Sequence, residues 1–278
     1  MENDSTFYDV TVRSGGYVLA DLCAHPFLTV WTSQQAKFFE KKISVFNVIY
    51  ETYKQKRFFD GFSMQAISAV PGTFLYLKGR ELSLTLLGDN YFGQTMQGPM
   101  GVGLGMLLWS PTSRLTMLQQ ASNKKDFLNS FNQLSLLGKS KSIWKKEGVR
   151  GFYRGTLGLT CSFSVTDALG SLLQAQILKC YPENDRQHAC PQILSTSIAF
   201  TLAAFATSPI EIAVCHLKIQ ESNPEKLLSK TLPEAAKAIY LLRGVRGFFH
   251  ATPALVAHSV TWHMILPFTT LCPTQGAH

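Results

Sequence analysis

The sequence predicts an all-α membrane protein in which six transmembrane helices form three pseudo-repeats, joined by short helices on one side of the bilayer. Three observations predict it. A short aromatic and basic block occurs three times at nearly constant spacing. Each copy sits between two long apolar segments, the first of which carries a proline near its end. Basic charge is concentrated in alternate connections between those segments.

The block reads KRFFDG at 56–61, KKEGVRGFYRG at 145–155 and GVRGFFHA at 244–251. Its copies end at Gly61, Gly155 and Ala251, spaced by 94 and 96 residues. The prolines Pro26, Pro111 and Pro209 lie 35, 44 and 42 residues before those ends. Gln35 and Gln120 follow the first two prolines by nine residues, and Lys218 follows the third. Self-similarity at a fixed period marks a repeat architecture. The chain therefore reads as one membrane domain, 1–278, with repeats 1–95, 96–185 and 186–278.

The apolar segments are 14–35, 62–88, 96–120, 156–180, 191–217 and 251–273, each able to supply the ~20 helical residues that cross a hydrocarbon core. The clearest are 98–109 (GPMGVGLGMLLW) and the run 193–215. Asp21, Arg80, Glu81 and Asp167 interrupt the others. Facing lipid is costly for such groups, so they are expected to face the bundle interior. Gly98, Gly101, Gly103 and Gly105 are expected to let neighbouring backbones approach.

The formal charge is +8. Segments 36–60, 121–155 and 218–250 hold 20 of the 26 Lys and Arg but 8 of the 18 acids, giving them +12 and the rest −4. With six spans, these three connections lie on one side of the membrane, which is the pattern of basic loops that orients membrane proteins. Nucleic acid is excluded as a partner, because there is no zinc-finger spacing and no alternation of aromatic and basic residues for base stacking. The six cysteines include no Cys-x-x-Cys and no histidine at metal spacing, so no metal site is expected. Cys180 and Cys190 flank one loop and are expected to stay unpaired. The start, MENDSTFYDV, reads as neither a secretory signal nor a transit peptide. An enzyme is not expected: no Gly-rich nucleotide fingerprint, nucleophile elbow or paired carboxylates are present.

Three two-helix repeats, a proline late in each odd segment, a glutamine nine residues on and an acid-Gly…aromatic-basic-Gly block resemble the mitochondrial carrier family. The second repeat matches best, through Glu147, Gly148, Phe152, Tyr153, Arg154 and Gly155, and the resemblance covers nearly the whole chain. It implies a six-helix carrier fold in a mitochondrial membrane, the inner one before the outer. Proline kinks would be braced by Gln35 and Gln120. The block would lie on the matrix side, where Gly61, Gly155 and Arg154 would bind cardiolipin, since a helix N-terminus presents free N–H groups to phosphate. A plain turn with an interfacial aromatic is the alternative. Ala251 lacks the glycine and makes a third lipid site doubtful.

The family's matrix gate, an acid two residues after each proline and a base three further on, is nearly absent. Leu28 and Trp31 stand in the first motif, Ser113 and Thr116 in the second. In the third, Glu211 remains opposite Val214. Arg114, one position past Ser113, is placed to reach Glu211. At the other end only Glu81 fits the gate pattern. The resemblance puts solute contacts at Ser68, Ser162, Phe163 and His258, with His258 read either as a ligand or proton carrier or as an interior residue. Pro71 keeps the kink of the second segment, while Pro267 and Pro273 fall off the family pattern.

Two functions follow. With five of six gate ions missing, the chain is expected to be a non-transporting accessory subunit of a larger inner-membrane, respiratory assembly, with bound cardiolipin and no other cofactor. An outer-membrane homologue that helps insert helices is a variant of this reading. The alternative is a transporter with atypical gates for a neutral or weakly charged solute.

Overall fold

The computed structural model describes residues 2–37, 44–121, 135–186, 188–219, 229 and 231–270. In chain order the helices are α1 (Glu2–Ala36), α2 (Val45–Lys54), α3 (Phe62–Leu87), α4 (Tyr91–Gln120), α5 (Leu136–Glu147), the single turn α6 (Val149–Phe152), α7 (Thr156–Leu178), α8 (Ala189–Ile219), α9 (Leu232–Arg243) and α10 (Thr252–Thr270). Two 3-10 turns, Glu183–Asp185 and Val245–Phe249, complete the pattern, and no strand occurs among the described residues.

The six expected apolar segments each correspond to one long helix. The largest difference is α1, which begins at Glu2 rather than near residue 14 and runs through Gly15 and Gly16 without a break. Residues 271–273 of the last segment, with Pro273, lie outside the described residues, as does the side chain of Pro267.

Each long helix packs against two others in the order α1, α3, α4, α7, α8, α10, and α10 returns to α1, which closes a ring. The proline-bearing helices α1, α4 and α8 also touch one another directly. Their C-terminal halves explain why. Residues 29–35 of α1, 114–118 of α4 and 211–218 of α8 are buried on every face. A helix buried all round has neighbours on all sides, so the three converge at this end. The short helices lie there too, with α2 against α1, α6 against α4 and α9 against α8.

Local chemistry sets the ends of the short helices. Ser135 caps α5 by accepting from Gly138 N at 3.2 Å, and Thr231 caps α9 by accepting from Glu234 N at 3.4 Å. Gly148 and Gly244 then end these two helices with nearly the same backbone, φ +65° and +62° with ψ −157° in both. The turns after α5 and α9 thus match in detail. The turn after α2 departs from them, with Lys56 at φ 54° the one non-glycine residue of positive φ among those described.

Pro26, Pro71, Pro99, Pro111 and Pro209 all lie inside long helices. A helical proline frees the carbonyl four residues earlier. For Pro111 that carbonyl is Leu107 O, and the Tyr153 hydroxyl donates to it at 3.0 Å. The aromatic of the repeated block therefore completes the proline bend of its own repeat.

The glycines of α4 do not all act as expected. Gly101 does: a Cβ there would lie 2.8 Å from Tyr76 O, and one at the facing Gly79 would lie 2.8 Å from Gly101 Cα, so α3 and α4 approach backbone to backbone. Gly98 instead makes room for the Asp167 carboxylate, and Gly103 faces open space.

Exposed large apolar side chains stand on every long helix, among them Leu19, Phe74, Leu107, Leu157, Leu202 and Met264. A band of this extent exceeds what soluble monomers display and fits a lipid-facing surface. Among the described residues, Ala189–Ile219 alone is long and apolar enough to cross a membrane by length and composition. The other long helices carry polar and charged residues, which lowers their apolarity, and some of these bond to a neighbouring long helix, as Asp21 of α1 does to Trp262 of α10.

Candidate functional site: the closed end and the interior above it

An apolar plug fills the point of convergence. Val30 and Trp31 of α1, Met117 of α4, Cys215 of α8 and Ala251, Ala254 and Leu255 beside α10 form one buried cluster, with Leu28 packed against it. Ala251 is fully buried and lies outside the left-handed region, so the third block ends in a packed turn unlike those at Gly61 and Gly155. Burying such side chains gains about 1.5–3 kcal/mol each. Leu28 and Trp31, which stand where charges were expected, are therefore part of the seal, whereas Val214 packs in a separate cluster with Val102, Met106 and Leu159.

Hydrogen bonds supplement the plug. Gln120 Nε2 donates to Thr29 Oγ1 at 3.0 Å and lies 3.2 Å from His25 Nε2, and Ser33 Oγ donates to Gln120 O at 3.1 Å. These three contacts tie α1 to α4. Lys218 Nζ donates to Ser113 Oγ at 3.1 Å and ties α8 to α4. Thr116 donates to Gly61 O at 3.1 Å. Gln35 is also fully buried, but its amide has no hydrogen-bond partner. It is not the brace its position suggested; Gln120 alone plays that part.

The expected reach of Arg114 to Glu211 does not occur. Arg114 is fully buried and turns outward to α5 and α6, where Nη1 donates to Glu147 Oε2 at 2.9 Å. It also pairs with the second Glu147 oxygen and with Gly151 O. A fork-shaped guanidinium satisfies a carboxylate at two points, and Glu147 offers both oxygens on the nearer side. Arg154 also lies 3.5 Å from Glu147, so its charge points into the protein and not toward a lipid headgroup. Burial pushes the Arg154 guanidinium below its usual range, with Glu147 opposing that shift.

Glu211 faces α7 instead. Its Oε1 accepts from Ser162 Oγ at 3.2 Å and from Thr207 Oγ1 at 3.3 Å. A position read as a solute contact thus bonds directly to the surviving gate acid. Ser68 is buried, donates to Gln65 O at 3.0 Å and lies 2.8 Å from Thr112 Oγ1. Phe163 is 39% exposed and lies almost opposite Cys161 and Val165 around α7. His258 is half-buried on α10.

Glu81 does not act as a gate residue at the other end. Its side chain is 64% exposed and pairs with Lys78 of the same helix at 2.6 Å. The interior holds other polar groups instead. Trp262 Nε1 donates to Asp21 Oδ1 at 2.9 Å, and Arg80 Nη2 donates to Gln97 Oε1 at 3.3 Å. The Arg80 guanidinium sits 5.8 Å from the Tyr76 ring centroid. Asp167 lies against Gly98 and within Coulombic range of Arg80. Trp262, Gln97 and Tyr76 were not singled out from sequence. The signal that pointed here was the unexplained charge of Asp21, Arg80 and Asp167 in apolar segments. Cys180 and Cys190 are both free. Among the described residues no cluster of His, Cys, Asp and Glu could hold a metal ion.

Fold and site together define a carrier-like helical protein: a ring of six long helices, sealed at one end by three that bear prolines. No family model matches the chain. It is similar to mitochondrial substrate carrier family protein E of Dictyostelium discoideum, at 28% identity over 276 residues that cover 89% of each chain. It is also similar to mitochondrial glycine transporter B of Danio rerio, at 24% over 212 residues, 74% of this chain and 69% of that one. Mitoferrin-1 of Rattus norvegicus matches at 25% over 182 residues, 62% of this chain and 51% of that one. The resemblance to mitochondrial carriers is thus borne out, at low identity. These relatives are carriers and not enzymes. They lend no support to the non-transporting accessory role expected from the missing ions, and the transporter alternative fits them better.

Proposed function

We propose that the protein is a solute transporter of the mitochondrial carrier type, a six-helix, three-repeat bundle spanning a mitochondrial membrane, most simply the inner one. The observation that carries this reading is the seal. The convergent ends of α1, α4 and α8 are held by an apolar plug, by a few hydrogen bonds between neutral groups, each worth about 0.5–1.5 kcal/mol net, and by the Lys218–Ser113 bond, with no ion pair joining these three helices among the described residues. Such a seal can open and reform without ion pairs. Missing gate ions therefore do not imply a locked bundle, since switching requires only that the two closed states lie within a few kcal/mol. Solute would enter from the end away from the plug and meet Phe163, His258, Arg80 and Asp167 on the way down.

Cardiolipin remains a proposal for the turns at Gly61 and Gly155, the Arg154 charge being committed to Glu147. The test is reconstitution of the full chain into cardiolipin-containing liposomes, with uptake measured for labelled amino acids, carboxylates, nucleotides and ferrous iron. Saturable uptake of at least one class, blocked by bulky substitution at Phe163, is the expected result. A protein that moves none of them and migrates only with a large membrane assembly would return the accessory-subunit reading.

A further inference from the structure

Glu211 is a buried carboxylate near the sealed end that meets no cation among the described residues. The residue is 8% exposed, and among the described residues its side chain meets only the hydroxyls of Ser162 and Thr207. The groups on each element packed around it are committed elsewhere. On α4, Arg114 is bound to Glu147. On α7, Thr166 lies 2.8 Å from Thr207. On α10, Thr252 donates to Ser208, while His263 stacks on Phe200 and His258 faces His263 and His25. Arg243 and His250, at the ends of α9 and the following turn, face His216. On α1, His25 lies by Asp60 O and Gln120. On α8 itself, Cys215 is a buried neutral thiol, and Lys218, two turns on, is bound to Ser113.

An ionised carboxylate so enclosed costs far more than a neutral one, and two hydroxyl donors repay only part of that. We propose that Glu211 is a proton-binding site and that solute movement is coupled to it as symport, an inference that rests on the transporter reading above. Ser162 makes the coupling. It is both a solute-contact position and a donor to Glu211 Oε1. When a solute engages the Ser162 hydroxyl, the carboxylate loses a donor and its ionised form is disfavoured. Glu211 then takes a proton from a hydronium ion that enters with the solute from the end away from the plug, leaving water and a neutral acid. When the plug opens on the other side, solute departs, Ser162 returns, and the proton passes to water there.

The site is tested apart from transport by infrared difference spectra of the liposome-embedded protein, scanned from acid to alkaline buffer. The wild type without solute should show a protonated-carboxyl band that fades as buffer passes through neutral pH, missing from Glu211→Gln and kept in Asp21→Asn and Asp167→Asn. If Glu211→Gln does not fold, Ser162→Ala should carry the band to more alkaline pH, because the ionised form has lost a donor. A wild type without the band overturns the site. Coupling is read with the pH dye pyranine inside liposomes while the labelled panel is added outside. Acidification should accompany uptake, and an inward gradient of one pH unit should drive about tenfold accumulation for one proton per solute, lost in Glu211→Gln. Uptake with no acidification overturns the coupling and leaves the transporter reading standing. Neither flux overturns both, whatever the infrared band shows.

Discussion

The Lys218 ammonium of α8 and the Ser113 hydroxyl of α4 meet at 3.1 Å across the sealed end, where an acid–base pair was to be expected. Lys218 is fully buried, so this neutral hydroxyl carries much of its solvation. Replacing Ser113 with Ala should leave the ammonium without that acceptor and destabilise the sealed state by about 1–3 kcal/mol. Replacing Lys218 with Met, which keeps the stem and removes the charge, should be near neutral or stabilising. Thermal unfolding in mild detergent distinguishes the two. Equal losses would mean that Lys218 acts by packing alone.

Arg114 and Glu147 form a buried pair between α4 and α5, with side chains 0% and 12% exposed. Removing one partner strands the other charge, so Glu147→Gln should cost about 3–5 kcal/mol. The double variant Arg114→Met with Glu147→Leu should recover much of that loss. Denaturant or thermal unfolding of the four proteins gives the coupling directly. A double variant as unstable as Glu147→Gln would show that the two residues do not act as a unit.

The fold was largely legible in the sequence because its signals are periodic. Three prolines, three aromatic blocks and six apolar runs each correspond to an observed element. The site was less legible, because partner choice depends on which way a side chain leaves its helix. Arg114 and Glu211 belong to neighbouring motif positions, yet Arg114 leaves toward α5 while Glu211 leaves toward α7. Gln35 and Gln120 occupy the same position in two repeats, and only one finds partners. Spacing alone does not encode these directions, and the gate charges that would otherwise supply them are replaced here by Leu28, Trp31, Ser113, Thr116 and Val214.

Gly61 and Gly155 offer a matched comparison. Both precede a long helix in the left-handed region, at φ +81° and +73°. A Cβ on Gly155 would meet Val214 Cγ1 at 3.4 Å, an ordinary contact, whereas one on Gly61 would meet Thr116 Cγ2 at 2.9 Å and Thr116 Cα at 3.0 Å. Both Ala variants should lose the ~1–2 kcal/mol that a Cβ costs in this conformation. Gly61→Ala should lose more, because α4 must also shift and the Thr116 bond to Gly61 O must stretch. The checking measurement is the difference in unfolding temperature between the two variants, with Gly61→Ala the lower.

Gln120 and Gln35 separate the seal from the scaffold around it. The Gln120 amide bonds to Thr29 and meets His25, which keep their bonds to Phe58 O and Asp60 O without it, so Gln120→Leu should cost the link between α1 and α4, about 0.5–1.5 kcal/mol. The buried Gln35 amide has no partner to lose, and Gln35→Leu exchanges an unsatisfied polar group for an apolar one beside Trp31. That variant should be neutral or stabilising. Opening should respond in opposite senses: Gln120→Leu makes the plug easier to breach, and Gln35→Leu makes it harder. Cysteine introduced at Thr116, behind the plug, should therefore be labelled by a water-soluble maleimide faster in the Gln120→Leu background and more slowly in Gln35→Leu. Equal labelling rates in the two backgrounds would show that the interlocks around Gln120 do not hold this end shut, leaving the apolar cluster of Trp31, Met117 and Leu255 as the whole of the seal.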